Sequence, residues 1–189
     1  IDYNGGTPVL KVTDWTNDTT RATALTTQDG VYVQTGNTDW KYLGTGRTTS
    51  VSGQTELSGD VIFLVNYYNR VLLKARLEVL SVHAYTTSAY RAWNNDTANR
   101  VQIIIPFDET IFISIGGRAR NNATLSLGIN QTTGRDLPAV NYGQATYIST
   151  GAVFDSYVFS AGYNYLQAVE YGGASSNFTD FFIIASIMG

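Results

Sequence analysis

One stretch of the sequence combines side chains that can bind a sugar. Residues 85–96, here called the aromatic segment, mix aromatic rings with amide, carboxylate and guanidinium groups between two predicted strands. Sugars stack their CH groups on aromatic rings, while amides and carboxylates take the hydroxyls. We therefore predict a ligand site made of Tyr90, Arg91, Trp93, Asn95 and Asp96. The alternative interpretation is that the Tyr90 and Trp93 rings pack in the core or at an interface.

Residues that serve catalysis are scarce in this chain. His83 is the only histidine and no Gly-x-Ser-x-Gly sequence accompanies it, so we predict a structural role for this ring. Glycoside hydrolysis needs two carboxylates at a set separation, but the adjacent Asp108 and Glu109 are typical of an acidic turn. We predict that the protein is not an enzyme and that it holds no cofactor or metal. A polysaccharide depolymerase is the less favoured hypothesis.

The composition limits the classes of partner. Of the 189 residues, 43% are hydrophobic and only 14% are charged, so Thr, Ser, Asn and Gly must cover most of the surface. The net charge of −3 offers no basic surface for nucleic acid, and no apolar run approaches the roughly 18 to 20 residues that span a bilayer. We predict neither a nucleic-acid partner nor membrane insertion. The chain starts at Ile1 rather than Met, which is typical of a piece of a longer chain.

The absence of cysteine narrows what can stabilise the fold. With no Cys, a disulfide scaffold and a Cys-based zinc site are both excluded. The chain must therefore be held by its own core or by association with copies of itself.

Short β-prone runs separated by turn residues recur through the chain. Asp29-Gly30 begins one such run and indicates a hairpin. We predict further strands at residues 8–12, 66–71, 101–106, 110–115, 123–129, 144–149, 153–161, 163–171 and 180–187. Strands of this length and spacing indicate an all-β fold, and we predict an antiparallel β-sandwich of jelly-roll-like form.

The apolar stretch at residues 61–82 precedes the main series of strands. Within it, apolar residues from Val71 to Val79 alternate with a set that includes Lys74, Arg76 and Glu78. This period of two favours a strand over a helix, although Leu, Lys, Ala, Arg and Glu are also good helix formers.

The loop at residues 44–59 contains almost no apolar side chains and marks the best boundary in the sequence. We predict a β-sandwich head domain over residues 48–189. Residues 1–47 form a stalk, a collar or an N-terminal strand extension, or they pair into the main sheet.

The C-terminal strand is apolar on both of its predicted faces. Strict alternation puts Phe181, Ile183, Ala185 and Ile187 on one face. The other face then carries Ser186 and the apolar residues Phe182, Ile184 and Met188. We predict that these three apolar residues form an oligomer interface near the three-fold axis of a homotrimer. The alternative is an ordinary buried central strand of a monomer.

Several motifs together resemble a segment that recurs in bacteriophage fibre proteins and other virion-surface proteins. They are Arg-Ala-Thr-Ala-Leu at residues 21–25, Asp-Gly-Val-Tyr-Val at 29–33, Tyr-Leu-Gly-Thr at 42–45, Gly-Gln-Thr-Glu at 53–56 and Asn-Tyr-Tyr-Asn-Arg-Val at 66–71. The resemblance covers about residues 21–173. Two departures are Leu57, where relatives tend to carry Asp, and Val65, where they often carry Trp.

The resemblance implies a structural protein exposed on the virion, often in a fibre or spike, with no catalytic residue to transfer. We expect a fibre or spike tip on the virion surface that binds other virion proteins and a host surface glycan during adsorption. The alternative is a capsid decoration or assembly protein with no receptor role.

Overall fold

The structure is a computed structural model that describes residues 1–4, 6–143 and 149–189. Its strands in the first part of the chain are β1 (Asp2–Asn4), β2 (Thr7–Val9), β3 (Trp15–Asn17), β4 (Thr20–Arg21), β5 (Leu25–Gln28), β6 (Val31–Gln34), β7 (Asn37–Lys41), β8 (Gly44–Gly46), β9 (Val61–Ile62) and β10 (Leu64–Asn66). The remaining strands are β11 (Leu72–Ala84), β12 (Tyr90–Ala92), β13 (Arg100–Ile105), β14 (Glu109–Arg120), β15 (Ala123–Ile129), β16 (Val140–Tyr142), β17 (Ser149–Phe159), β18 (Gly162–Tyr171) and β19 (Asn177–Met188). A single 3₁₀ turn, Trp93–Asn95, completes the described part of the chain. The chain is therefore all-β.

Two large sheets contain the long strands. One has four strands in the order β11-β19-β14-β17, and the other has six, in the order β16-β15-β18-β13-β9 with β12 also paired to β18. The short β9 pairs parallel with β13, whereas the long strands pair antiparallel. These sheets are consistent with the predicted antiparallel sandwich.

Alternating side chains of both sheets fill one shared core. On β19, Phe181, Ile183, Ala185 and Ile187 are at most 1% exposed, so the predicted inward face is confirmed. Facing strands contribute Ile111, Ile113, Ile115, Val101, Ile103, Ile105, Leu125, Leu127, Leu166 and Ala168. Since successive side chains of a strand point to opposite faces, the same alternation fixes which residues lie on the outside of each sheet.

The stretch after residue 71 is the long strand β11. Ala75 is buried and its neighbours Leu73 and Leu77 are half-buried, whereas Lys74 and Glu78 are exposed. The prediction of a strand rather than a helix is confirmed, because burial on one face stabilises the extended form against the helix propensity of the individual residues.

Most of the other predicted strands are also confirmed, from residues 101–106 through to 180–187. The strand predicted at residues 144–149 lies outside the described residues, apart from Ser149, which begins β17. The strand predicted at 8–12 is confirmed only at its start, where β2 ends at Val9.

The predicted strand at residues 66–71 is wrong, because its centre is a turn. The Asn66 side-chain oxygen accepts the backbone N–H groups of Tyr68 and Asn69, at 3.0 and 3.2 Å. Asparagine competes in this way with the ladder of a sheet. The predicted loop at residues 44–59 also needs correction, since its first residues form β8, which pairs with β10.

Residues 1–47 form short hairpins that pack on the two-sheet body. In the described part of the chain, none of the strands β1 to β8 joins either large sheet, so pairing into the main sheet is wrong. The Tyr163 N–H donates to the Asp18 carbonyl at 2.7 Å, and a Cβ at Gly162, whose φ is +114°, would overlap that carbonyl. Tyr32 of β6 stacks on Phe107 at 4.5 Å. A stalk or collar role for this segment stays a prediction.

Candidate functional site

Trp93 of the aromatic segment lies in the core. Its side chain is 0% exposed, and its ring centroid is 4.8 Å from that of Phe181, 5.4 Å from that of Phe178 and 5.0 Å from that of His83. A ring with no exposed surface cannot stack on a sugar. The prediction that Trp93 binds a glycan is therefore corrected: the ring fills the end of the core between the two sheets.

The other predicted ligand residues do not form one open surface with it. Tyr90 is half-buried and lies 5.1 Å from Tyr171 between ring centroids, while Arg91 is turned towards a buried carboxylate. Only Asn95 and Asp96 are exposed, and the Asp96 side chain accepts the Ala98 N–H at 2.9 Å. The structure thus separates the five residues into core, ion-pair and turn positions.

Glu170 is the buried carboxylate that organises this region. It is 0% exposed and accepts from Arg91 Nε at 2.7 Å and from the Asn94 N–H at 3.2 Å. His83 Nε2 lies 2.5 Å from its other oxygen, and His83 Nδ1 lies 2.9 Å from the Ser81 carbonyl. A carbonyl only accepts, so Nδ1 carries a hydrogen. Nε2 faces the second oxygen of the carboxylate whose first oxygen accepts from Arg91.

This network is structural in its geometry. His83 lies on β11 of the four-stranded sheet, while Glu170 and Arg91 lie on β18 and β12 of the other. The hydrogen bonds therefore tie the two sheets together across the end of the core. A buried carboxylate requires such partners, because an unpaired charge in the interior is strongly destabilising.

The four-stranded sheet carries an exposed apolar surface on its outer side. Its members, here called the apolar face, are Phe112, Phe154, Phe182, Ile184 and Met188. Phe154 is 81% exposed, Phe112 67% and Met188 42%, while Phe182 and Ile184 are half-buried. The three residues predicted for the oligomer interface, Phe182, Ile184 and Met188, thus lie on one surface with the rings of Phe112 and Phe154.

The strand register makes the apolar face continuous. Ser114 of β14 pairs with Ile184 on one side and with Phe154 on the other. Phe182 is opposite Gly116, which has no side chain to cover it. The face therefore runs across three neighbouring strands. Sequence patterns identified its β19 part but not Phe112 or Phe154, whose strand partners could not be inferred.

A second candidate site, here called the N-terminal cleft, lies among the short strands and loops of residues 1–66. Its volume is about 510 Å³. Rings of Trp15, Trp40 and Tyr42 line it together with the polar side chains of Arg21 and Gln34. Sequence reasoning missed this site because its residues come from several short strands. The available signal was that two of the three tryptophans lie in a polar, turn-rich segment with little core of its own.

No ion site or known relative identifies these surfaces. Among the described residues, no group of three or more His, Cys, Asp or Glu side chains is placed to hold a metal ion. That part of the chain also contains no helix of the length and apolar character needed to cross a membrane. In comparisons with known proteins, no family model, no curated protein and no solved structure matches the chain.

Proposed function

We propose that this chain is a structural protein of a bacteriophage particle, the tip of a fibre or spike that binds the host surface during adsorption. Its place is the virion surface, and its partners are other virion proteins, copies of itself and a host glycan. The resemblance of residues 21–173 to virion-surface proteins supports this function, as does a surface of neutral polar residues.

The apolar face is the observation that carries the proposal. Phe112 and Phe154 each expose roughly 100 to 200 Å², given their exposed fractions and the usual area of an aromatic side chain. Soluble monomers rarely expose a continuous apolar patch of this kind without a partner. The occupants that we propose are two further copies of the chain, whose apolar faces meet around the three-fold axis of a homotrimer.

The free energy gained by covering the apolar face is large compared with the stability of a domain. At about 25 cal/mol per Å², covering the two rings alone contributes on the order of 5 kcal/mol. This is comparable to the whole stability of a small domain. Folding and association of the chain are therefore expected to be linked through concentration.

A jelly-roll-like arrangement is part of the same proposal. Counted one to eight along the chain, β11 and β13 to β19 have the order 1-8-3-6 in one sheet and 5-4-7-2 in the other. Jelly rolls distribute eight strands over two sheets as two Greek keys. The strand order supports the assignment, and such folds are common in virion proteins.

Antibody labelling and adsorption competition test the proposed function together. Gold-labelled antibodies against the chain should mark the ends of fibres or spikes, and the purified protein should reduce phage adsorption to host cells. Labelling over the capsid shell with no effect on adsorption would favour the decoration protein instead. Particles that carry no label would contradict both.

A further inference from the structure

The N-terminal cleft carries polar groups that a ligand can satisfy, and the aromatic segment does not. We propose that this cleft binds an acidic oligosaccharide, in which sugar rings pack on tryptophan and a carboxylate or phosphate binds Arg21. The inference deepens the proposed attachment to a host glycan and rests on it. It assigns the contact to residues 11–66 rather than to the residues around Trp93.

The charge of the cleft walls favours an anion. Its described lining contains four basic side chains, Lys11, Arg21, Lys41 and Arg47, and no acidic one. This is unusual in a chain whose net charge is −3. Arg47 already forms a salt bridge with Asp18. Attraction of an anionic ligand is therefore assigned to Arg21, with support from Lys41.

The Arg21 side chain is fixed by hydrogen bonds and still has N–H donors without a partner among the described residues. Its Nη2 donates to the Thr45 hydroxyl at 3.2 Å and to the Pro106 carbonyl at 2.6 Å, and its guanidinium lies 4.4 Å from the centre of the Trp15 ring. Both acceptors are neutral, and Nε and Nη1 donate to no group among the described residues. A fixed guanidinium with open N–H groups is the preferred partner of carboxylates and phosphates.

Gln34 supplies the complementary acceptor. Its Oε1 is buried and has no hydrogen-bond partner in the described part of the chain, and the residue lines the cleft. An unpaired buried acceptor is destabilising, so a group that donates to it gains affinity. A sugar hydroxyl is such a donor, and a purely apolar ligand would leave this oxygen unpaired.

Two indole rings provide the stacking surface. Trp15 and Trp40 are both half-buried, so part of each ring is accessible, in contrast to Trp93. The Lys11 ammonium lies 3.9 Å from the centre of the Trp40 ring and helps to fix it. Aromatic surface, a guanidinium with unpaired N–H groups and an unpaired amide oxygen are together the groups that recognise an acidic sugar.

Calorimetric titration of the full chain tests the proposal with three probes. They are a hexuronic acid oligosaccharide, a glycerol phosphate polymer and a neutral hexose oligosaccharide of the same length as the first. One acidic probe should bind at least about tenfold more tightly than the neutral one, the usual effect of a charged hydrogen bond. Which acidic probe binds distinguishes a carboxylate ligand from a phosphate ligand.

Two variants locate the binding in the cleft. Arg21→Lys keeps the charge but loses the planar fork, so it should weaken the acidic probe about tenfold and leave the neutral probe unchanged. Gln34→Leu should weaken the acidic probe about fivefold through the lost hydrogen bond, without touching the contacts of Arg21. Gln28→Leu, at an exposed position of β5 outside the cleft, is the matched control and should bind normally.

The outcomes separate this inference from the function on which it rests. If the protein blocks adsorption but neither acidic probe binds, or if both variants bind as tightly as the parent, the cleft assignment is overturned and the proposed function stands. If an acidic probe binds and the variants weaken it, the inference is supported. If in that case the virion carries no label, the proposed function alone is overturned.

Discussion

The outer sides of the two large sheets differ in how far their side chains are covered. On the six-stranded sheet, Ser126 and Gln167 point away from the core yet are fully buried, because loops of the same chain cover them. Ser126 donates to the Leu137 carbonyl at 2.8 Å, and Gln167 donates to the Asn99 carbonyl at 2.8 Å. On the four-stranded sheet, the corresponding positions include the open rings of Phe112 and Phe154.

The difference shows which outer side is covered by loops of the same chain and which outer side is left uncovered in a single chain. On the six-stranded sheet, the outward donors of Ser126 and Gln167 find acceptors within the chain and loops cover both side chains, while Gln167 Oε1 has no partner among the described residues. Apolar outward side chains on the other sheet gain nothing from water and have no covering loop among the described residues. The same fold thus contains a closed side and a side suited to a copy of itself.

Trp93→Ala should have the largest effect, because it breaks the core that both sheets share. Removing a buried large side chain typically costs about 3 to 5 kcal/mol, and the free energy of unfolding from urea denaturation should fall by that amount. Phe154→Ala, on the apolar face, is the matched control for loss of a ring. Measured at a protein concentration too low for copies to associate, it should leave the free energy of unfolding unchanged. Equal losses for the two variants would contradict the contrast between core and face.

Glu170→Gln should be the next most damaging change. It keeps the shape but removes the charge that His83 and Arg91 share, and breaking a buried pair costs about 3 kcal/mol or more. Glu78→Gln removes a carboxylate from the exposed pair with Arg76 on the outer side of the four-stranded sheet. That control should stay within about 0.5 kcal/mol in thermal or urea unfolding. A harmless Glu170→Gln would show that the network does not hold the sheets together.

Tyr142→Phe should have a smaller effect that depends on pH. The Tyr142 hydroxyl donates to the Gly117 carbonyl at 2.8 Å, between β16 and β14. Burial raises the pKa of Tyr142 above its ordinary value of 10.0, and the charge of Asp180 adds to the increase. The unfolded chain therefore loses this proton first, so the stability that the phenol contributes is present below about pH 10 and declines as the pH rises further.

The variant should accordingly lose about 1 kcal/mol at pH 7 and show a shallower loss of stability in the alkaline range. Denaturation curves at pH 7 and at several values above pH 10 measure both quantities. Tyr157→Phe, on the exposed edge strand β17, should not change the free energy of unfolding at pH 7. If the free energy of unfolding declines above pH 10 as steeply in Tyr142→Phe as in the unmodified protein, the Tyr142 phenol is not the group that causes the decline.

Local patterns predicted what depends on neighbours along the chain. The alternation from Phe181 to Ile187 identified the buried face of β19, and Asp29-Gly30 identified the β5–β6 turn, where both residues have positive φ. The turn after Asn66 was missed because a side-chain hydrogen bond replaced the expected ladder. The position of Trp93 was missed because its ring contacts Phe178 and Phe181, more than 80 residues away.

The apolar face and the N-terminal cleft show the same limit. Phe154 joins Ile184 only through the strand register around Ser114. Arg21 meets the Pro106 carbonyl only because the hairpins pack on the two-sheet body. Pairings of this kind depend on the tertiary fold, and a single sequence does not encode them in any local pattern.

Light scattering coupled to size exclusion tests the central claim, that the apolar face joins copies of the chain. At micromolar concentration, the unmodified protein should have three times the 20.7 kDa mass of one chain. Ile184→Asp places a charge in the middle of the face and should give a folded or partly unfolded single chain. Thr26→Asp, which adds the same charge on an exposed hairpin, should remain a trimer. A mass of one chain for the unmodified protein, or an intact trimer of Ile184→Asp, would contradict the claim.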